Sequence, residues 1–203
     1  MMKFALPSFC RKTLVAAVVL AGASAGAQAY SFDCITGSVS ASSDSAGCTS
    51  IGASLASWSL VGNLLTISNA SGSDNHSFIS GISFDTSAGM TVTLGASQMP
   101  GVLYTTGGGA HMPSSLGWTI DANFQPDKKP ASNGINAGES IQFLLSGVAP
   151  SNIGDGSFKF GVHMQGLPFD RSEKLMGAVP EASSYALALA GLLIVGSLAR
   201  RKA

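Results

Sequence analysis

Apolar and polar residues alternate along several short segments in the middle of the chain. In 158–164, Phe158 and every second residue after it are apolar, whereas Lys159 and His163 are polar. Because successive side chains of a strand point to opposite faces of a sheet, this period of two predicts a half-buried strand. Similar alternation predicts strands at 90–94, at 118–124, from Ile141 onwards, and around Ile82 and Phe84.

A tight turn at Gly62-Asn63 joins two further alternating segments, 56–60 and 65–67. Glycine adopts the left-handed conformation that such turns need, so these residues predict a β-hairpin. About eight short strands without a helical period predict one all-β body at 30–177, an antiparallel β-sandwich or jelly roll. We expect no helix in this body, and we expect the charged, proline-containing segment 127–134 to be an exposed loop.

The N-terminal residues have the order of a secretory signal peptide. Three basic residues precede a short apolar run at 13–21. Ala27-Gln28-Ala29 then supplies the small residues that signal peptidase accepts. The sequence therefore predicts a signal peptide at 1–29 with cleavage after Ala29. An uncleaved anchor is the alternative, but it would need about 20 apolar residues to cross the membrane.

The C-terminal residues predict a membrane-spanning helix. Residues 185–199 are all apolar or small, and Arg200, Arg201 and Lys202 follow them. Fifteen helical residues extend about 22 Å, which is short of a hydrocarbon core of about 30 Å, so flanking residues must contribute. Because basic residues stay on the cytoplasmic side, we predict a helix at about 183–199 with a stop-transfer end at 200–202. A terminal helix docked on the body is the alternative.

Val179, Pro180 and Glu181 stand just before that apolar segment. The order Pro-Glu, short polar spacer, apolar helix and basic cluster resembles the PEP-CTERM sorting signal, with Ala182 in place of the usual second proline. Segments 133–140, 161–166 and 172–174 are also similar to a recurring β-body of PEP-CTERM proteins. The resemblance implies that 178–203 is a sorting tail, which the membrane protease-transpeptidase exosortase cuts near the Pro-Glu motif.

Charge is distributed unevenly along the chain. The whole sequence carries 11 acidic and 11 basic residues, but 30–179 contains ten acidic and five basic residues. This acidic body gives no electrostatic support for binding nucleic acid.

Cysteine usage predicts one disulfide. Removal of the signal peptide leaves Cys34 and Cys48, and an even number of cysteines in an exported protein favours a bond between them. Closing a loop of about 15 residues would stabilise the body by about 3 kcal/mol. Two free thiols are the alternative.

The remaining reactive residues predict no catalytic centre, metal site or cofactor. A G-x-S-x-G pattern at 22–26 lies inside the signal peptide, where the fold that this motif requires does not form. The histidines are not spaced to bind one metal, and His163, on the polar face of a strand, is expected to be exposed or at an edge. No calcium-loop motif joins the aspartates. These residues are His76, His111 and His163, with Asp33, Asp74, Asp121 and Asp155.

Together these features predict a non-enzymatic surface or extracellular-matrix protein of a Gram-negative bacterium. Signal peptidase and exosortase would process it, and it would pass through the inner membrane to the cell surface. A link to exopolysaccharide or biofilm is expected. A membrane-anchored carbohydrate-binding β-sandwich is the first alternative, and an exported hydrolase is the second.

Overall fold

The computed structural model describes residues 30–35, 51–96, 98–113, 116–148, 152–153, 156–168 and 171–178. The signal peptide with Ala27 and Ala29, Cys48, Asp155, the motif 179–181, and the tail helix with its basic end lie outside the described residues. The statements about them therefore stay predictions. Within the described part of the chain, no helix is long and apolar enough to cross a membrane.

The described residues form ten strands and two short helices, α1 (Ile51–Leu55) and α2 (Pro130–Asn133). All strand pairs within the sheet are antiparallel, so the prediction of an antiparallel all-β body is confirmed. The strands are β1 (Tyr30–Cys34), β2 (Ala56–Val61), β3 (Leu64–Asn69), β4 (Phe78–Thr86), β5 (Thr91–Leu94), β6 (Tyr104–Thr106), β7 (Ala122–Pro126), β8 (Ser140–Ser146), β9 (Phe158–Leu167) and β10 (Arg171–Gly177).

Strand β1 joins two halves of one sheet, whose order is β5-β8-β3-β2-β1-β10-β9-β4-β7-β6. Tyr30 and Ser31 pair with β2, whereas Phe32, Asp33 and Cys34 pair with β10. We call β2, β3, β5 and β8 the first half, and β4, β6, β7, β9 and β10 the second half. The N-terminal strand thus holds both halves through its backbone hydrogen bonds.

The core lies between the inner faces of the two halves. The ring of Phe143 in the first half lies 5.0 Å from that of Phe84 in the second half, measured between centroids. Trp58 and Phe160 make a similar edge contact across the core at 5.1 Å. Burial of each such large apolar side chain contributes about 1.5–3 kcal/mol relative to exposure, so this aromatic layer is a principal source of stability.

Two predicted elements, the β2–β3 hairpin and β9, are found at the predicted residues. The hairpin β2–β3 turns at Gly62, whose φ of 61° is left-handed, and Val61 pairs with Leu64. Strand β9 covers the predicted 158–164, and the four apolar residues of its inner face are buried: Phe158, Phe160, Val162 and Met164. The period of two therefore located both elements correctly.

The predicted strand at 118–124 is only partly correct, because β7 begins at Ala122. Trp118 is instead buried in a second apolar cluster with Ile35, Ala110 and Met112. Side-chain contacts hold the residues before β7, since the Thr119 amide donates to Asp85 Oδ2 at 3.1 Å. The apolar residues at alternate positions before β7 are therefore buried by this cluster and not by pairing into a strand.

The expectation of a body without helices is wrong. Helix α2 falls inside 127–134 and begins at Pro130, whose fixed φ suits the first turn of a helix. Residues 128–132 are exposed as expected, but Gly134 is buried, and a Cβ there would lie 2.6 Å from the Ile79 carbonyl oxygen. The end of this segment therefore packs against β4 and is not an exposed loop.

Candidate functional site

A groove of about 770 Å³ opens beside α1, the connection from β3 to β4, and the end of β9. One wall consists of residues 71–77, which are mostly polar, and we call this segment the polar wall. The apolar lining residues, which we call the apolar wall, are Ile51, Leu55, Leu167 and Pro168. This volume lies within the range of about 300–1,000 Å³ that is usual for small-molecule sites.

Two side-chain amides, the buried Asn69 and the half-buried Asn75, hold the polar wall in place. Asn69, at the end of β3, is 2% exposed, and its Nδ2 donates to the carbonyl oxygens of Ser77 at 2.8 Å and Ile135 at 3.1 Å. Asn75 Nδ2 donates to Asn69 Oδ1 at 3.0 Å and to the Ala70 carbonyl at 2.7 Å. Asn75 Oδ1 accepts from the Ser77 amide at 3.0 Å. These bonds satisfy the polar groups at the turn and fix its backbone.

Two glycines allow the neighbouring elements to approach closely. Gly166 at the end of β9 has φ of 70°, and a Cβ there would lie 2.8 Å from the His76 carbonyl oxygen. The Gly52 amide in α1 donates to Glu173 Oε2 at 2.9 Å, and a Cβ on Gly52 would lie 2.7 Å from the same oxygen. Glu173 is 1% exposed, so a buried carboxylate fastens α1 to β10 and thereby positions the apolar wall.

Among the described residues that line the groove, one side chain is acidic. Asp74 is exposed in the polar wall and accepts a hydrogen bond from Ser73 Oγ at 3.3 Å. Among the described lining residues there is no lysine or arginine, and no phenylalanine, tyrosine or tryptophan. The exposed side chains of Ser71 and His76 add polar groups beside the carboxylate. The groove therefore combines a negative charge with several hydrogen-bonding groups.

A second polar pair, Ser80 and His163, lies on the second half of the sheet and is not among the described residues that line the groove. Ser80 Oγ lies 3.3 Å from His163 Nδ1 and donates to the His163 carbonyl at 3.2 Å. Burial, together with the smaller effects of the Lys174 and His111 charges, lowers the pKa of His163 from 6.5 to about 4. The imidazole is thus neutral at pH 7 and is a weak base for activating a hydroxyl. The expectation of an exposed or edge histidine is wrong, because β9 lies between β10 and β4.

The other residues singled out in the sequence are dispersed. Asp33 is exposed on β1, and Asp121 Oδ2 accepts from the Thr86 amide at 2.7 Å. His111 has a left-handed φ of 49°, and its carbonyl accepts from Lys174 Nζ. Of the predicted candidates, Asp74 and His76 alone among the described residues line the groove. The described residues contain no group of three His, Cys, Asp or Glu that could hold a metal ion.

The predicted disulfide involves one described cysteine. Cys34 ends β1 and is half-buried, with its Sγ 3.9 Å from Glu173 Oε2. Its predicted partner Cys48 lies outside the described residues, so the bond stays a prediction.

Comparison with family models, curated proteins and solved structures finds no match for this chain. The chemistry of the groove therefore has to be argued from its own residues. A preformed polar wall together with an apolar wall suits a ligand that presents both hydroxyl or amine groups and C–H groups.

Proposed function

We propose that this chain is an exported surface or extracellular-matrix protein of a Gram-negative bacterium, sorted through a PEP-CTERM-type tail. The observation that carries the proposal is the C-terminal order of Pro180-Glu181, an apolar segment at 185–199 and the basic residues 200–202. The face-to-face packing of the two halves supports a sandwich-like or jelly-roll-like body. Its role is non-enzymatic and is linked to exopolysaccharide or biofilm.

The ends of the folded body support processing on both sides. The described part of β1 starts at Tyr30, so the predicted cleavage after Ala29 lies outside it. Strand β10 ends at Gly177, three residues before Pro180, and Gly177 pairs with Phe32 of β1. Cleavage by signal peptidase and by exosortase would thus leave every described strand intact. Three residues reach about 10 Å at most, so the motif would stay close to this pair of strands.

The tail holds the protein in the inner membrane until the second cleavage. Moving each arginine or lysine into hydrocarbon costs about 2.5–3.5 kcal/mol on insertion scales, so the cluster 200–202 arrests translocation. Pro180 favours an extended backbone at the motif, where exosortase acts. The released body then reaches the cell surface or the extracellular matrix.

Fractionation of cells with an active exosortase tests this proposal. One antibody detects the body, and a second detects an epitope at the extreme C-terminus. We expect surface protein to retain the body and to lack the C-terminal epitope. Replacing Pro180 and Glu181 with alanine should leave full-length protein in the inner membrane, whereas replacing Ser183 and Ser184 with alanine should not. Deleting 185–203 should release the body into the periplasm.

A C-terminal epitope that accompanies the body in every fraction would show that the tail is a permanent anchor. A second candidate function, a membrane-held carbohydrate-binding module, is favoured by the groove with its preformed polar wall. A glycan array probed with the purified full chain distinguishes this candidate, because a structural matrix protein should give no hit on defined sugars.

A further inference from the structure

The groove has the charge and polarity to select among ligands. We propose that it binds sugar chains that carry free amino groups, in preference to acidic or fully acetylated chains. This inference rests on the carbohydrate-binding candidate above and is independent of the sorting tail.

Charge is the first argument. Asp74 presents an exposed carboxylate in the polar wall, and the described lining residues contain no lysine or arginine to neutralise it. The chain from 30 to 179 also has five more acidic than basic residues, so the body as a whole carries a net negative charge. An ammonium group is attracted to such a site, whereas the carboxylates of an acidic chain are repelled.

The order of the polar wall is the second argument. Ser71, Ser73 and His76 expose side chains that donate or accept hydrogen bonds, as sugar hydroxyls require. The hydrogen bonds of the buried Asn69 and the half-buried Asn75 already fix the backbone that carries them. Little conformational entropy is then lost on binding, which favours weakly interacting polar ligands.

The apolar wall completes the match. Leu55 of α1 and Pro168 after β9 face the groove and can contact the C–H faces of sugar rings. A lysine-rich peptide would satisfy Asp74 as well. Sugar hydroxyls can bond to Ser71, Ser73 and His76 while the ring C–H groups contact the apolar wall, and for this reason the sugar chain is favoured.

The test measures binding of four probes to the full chain in detergent at low salt. The probes are an oligomer of glucosamine, its N-acetylated counterpart, an oligogalacturonate and a lysine-rich peptide. We expect the glucosamine oligomer to bind best, with an affinity that falls as salt is added. Asp74→Asn should weaken this binding about threefold to tenfold, since it removes a charge-assisted contact. Asp33→Asn, which removes an exposed carboxylate from β1, should leave it unchanged.

Three results would overturn the inference. The first is an acidic oligomer that binds as tightly as the glucosamine oligomer. The second is an affinity for the glucosamine oligomer that Asp74→Asn does not change. The third is a lysine-rich peptide that binds at Asp74 as tightly as the glucosamine oligomer. Binding of the acetylated oligomer alone would retain the carbohydrate-binding candidate while excluding amine selection. If no sugar binds, the amine selection and the carbohydrate-binding candidate are both wrong. The epitope experiment then still tests the sorting proposal.

Discussion

Two single polar side chains, Asn69 and Glu173, fix the polar wall and the apolar wall of the groove, respectively. Each is nearly inaccessible to solvent, at 2% and 1% exposure. The described residues contain no buried side-chain nitrogen or oxygen without a hydrogen-bond partner. Loss of one partner in such a network typically costs about 1–3 kcal/mol, so these residues are specific structural determinants of the groove.

His163 predicts a dependence of stability on pH. Its pKa is lowered from 6.5 to about 4, so the folded state binds the proton less well than the unfolded state. The stabilisation is fully present above pH 6.5 and is lost as the pH falls towards 4. We expect a loss of about 1–3 kcal/mol in the free energy of unfolding, measured by denaturant titration across this range.

Substituting two histidines in turn shows which of them causes the loss of stability at acid pH. His163→Gln should flatten the acid limb of the stability profile, because glutamine does not titrate. His76→Gln changes an exposed residue and should leave the limb as it is in the wild type. An unchanged acid limb in His163→Gln would refute the role of this residue.

The residues of the groove could not be predicted as a site from the sequence. Asn69 and Asn75 belong to a stretch rich in serine, glycine and asparagine, which is typical of any turn. Glu173 stands between Ser172 and Lys174 and has the appearance of a surface charge. Their burial depends on contacts over long sequence distances, such as Gly52 with Glu173, which local patterns do not encode.

At the scale of elements, one segment covers the outer face of the second half. It comprises residues 107–113 and 116–118, and we call it the outer segment. Met112 and Trp118 anchor it in the second apolar cluster. Ala110 N donates to Ser83 Oγ of β4 at 2.8 Å. Gly81 and Gly161 leave the space into which the outer segment packs.

Gly81→Ala should displace the outer segment. The added Cβ would lie 3.0 Å from the Ala110 nitrogen and closer still to the backbone of Gly109, which has no flexible side chain to move aside. We expect destabilisation of about 1–3 kcal/mol, together with a change in Trp118 fluorescence. Gly72→Ala is the matched control, because its Cβ would meet only Asn75 Cβ at 3.8 Å. Equal stability of both variants would contradict this packing.

Elements with strict alternation were predictable, whereas those placed by distant contacts were not. Strand β9 and the β2–β3 hairpin carry the period of two in their own residues. Strand β10 contains Arg171, Glu173 and Lys174, so its sequence lacks the apolar period of a half-buried strand. Strand β1 is short and changes partner after Ser31, a feature that only the complete sheet defines.

At the scale of the whole molecule, β1 is the strand on which both halves of the sheet depend. The Tyr30 ring stacks on Trp58 with centroids 4.4 Å apart, and Trp58 Nε1 donates to the Ser31 carbonyl at 2.8 Å. A signal-peptide cut after Ala29 preserves these contacts, whereas a cut a few residues later would remove them. These contacts therefore require a cut no later than Ala29, as predicted.

The intact mass of the protein recovered from the surface of cells with an active exosortase tests the central claim most directly. The account predicts the mass of a chain that begins at Tyr30 and ends close to Pro180-Glu181, before any covalent addition at the new C-terminus. Loss of the signal peptide and loss of the tail are then read from one measurement. A mass that still includes 185–203 would contradict sorting by cleavage.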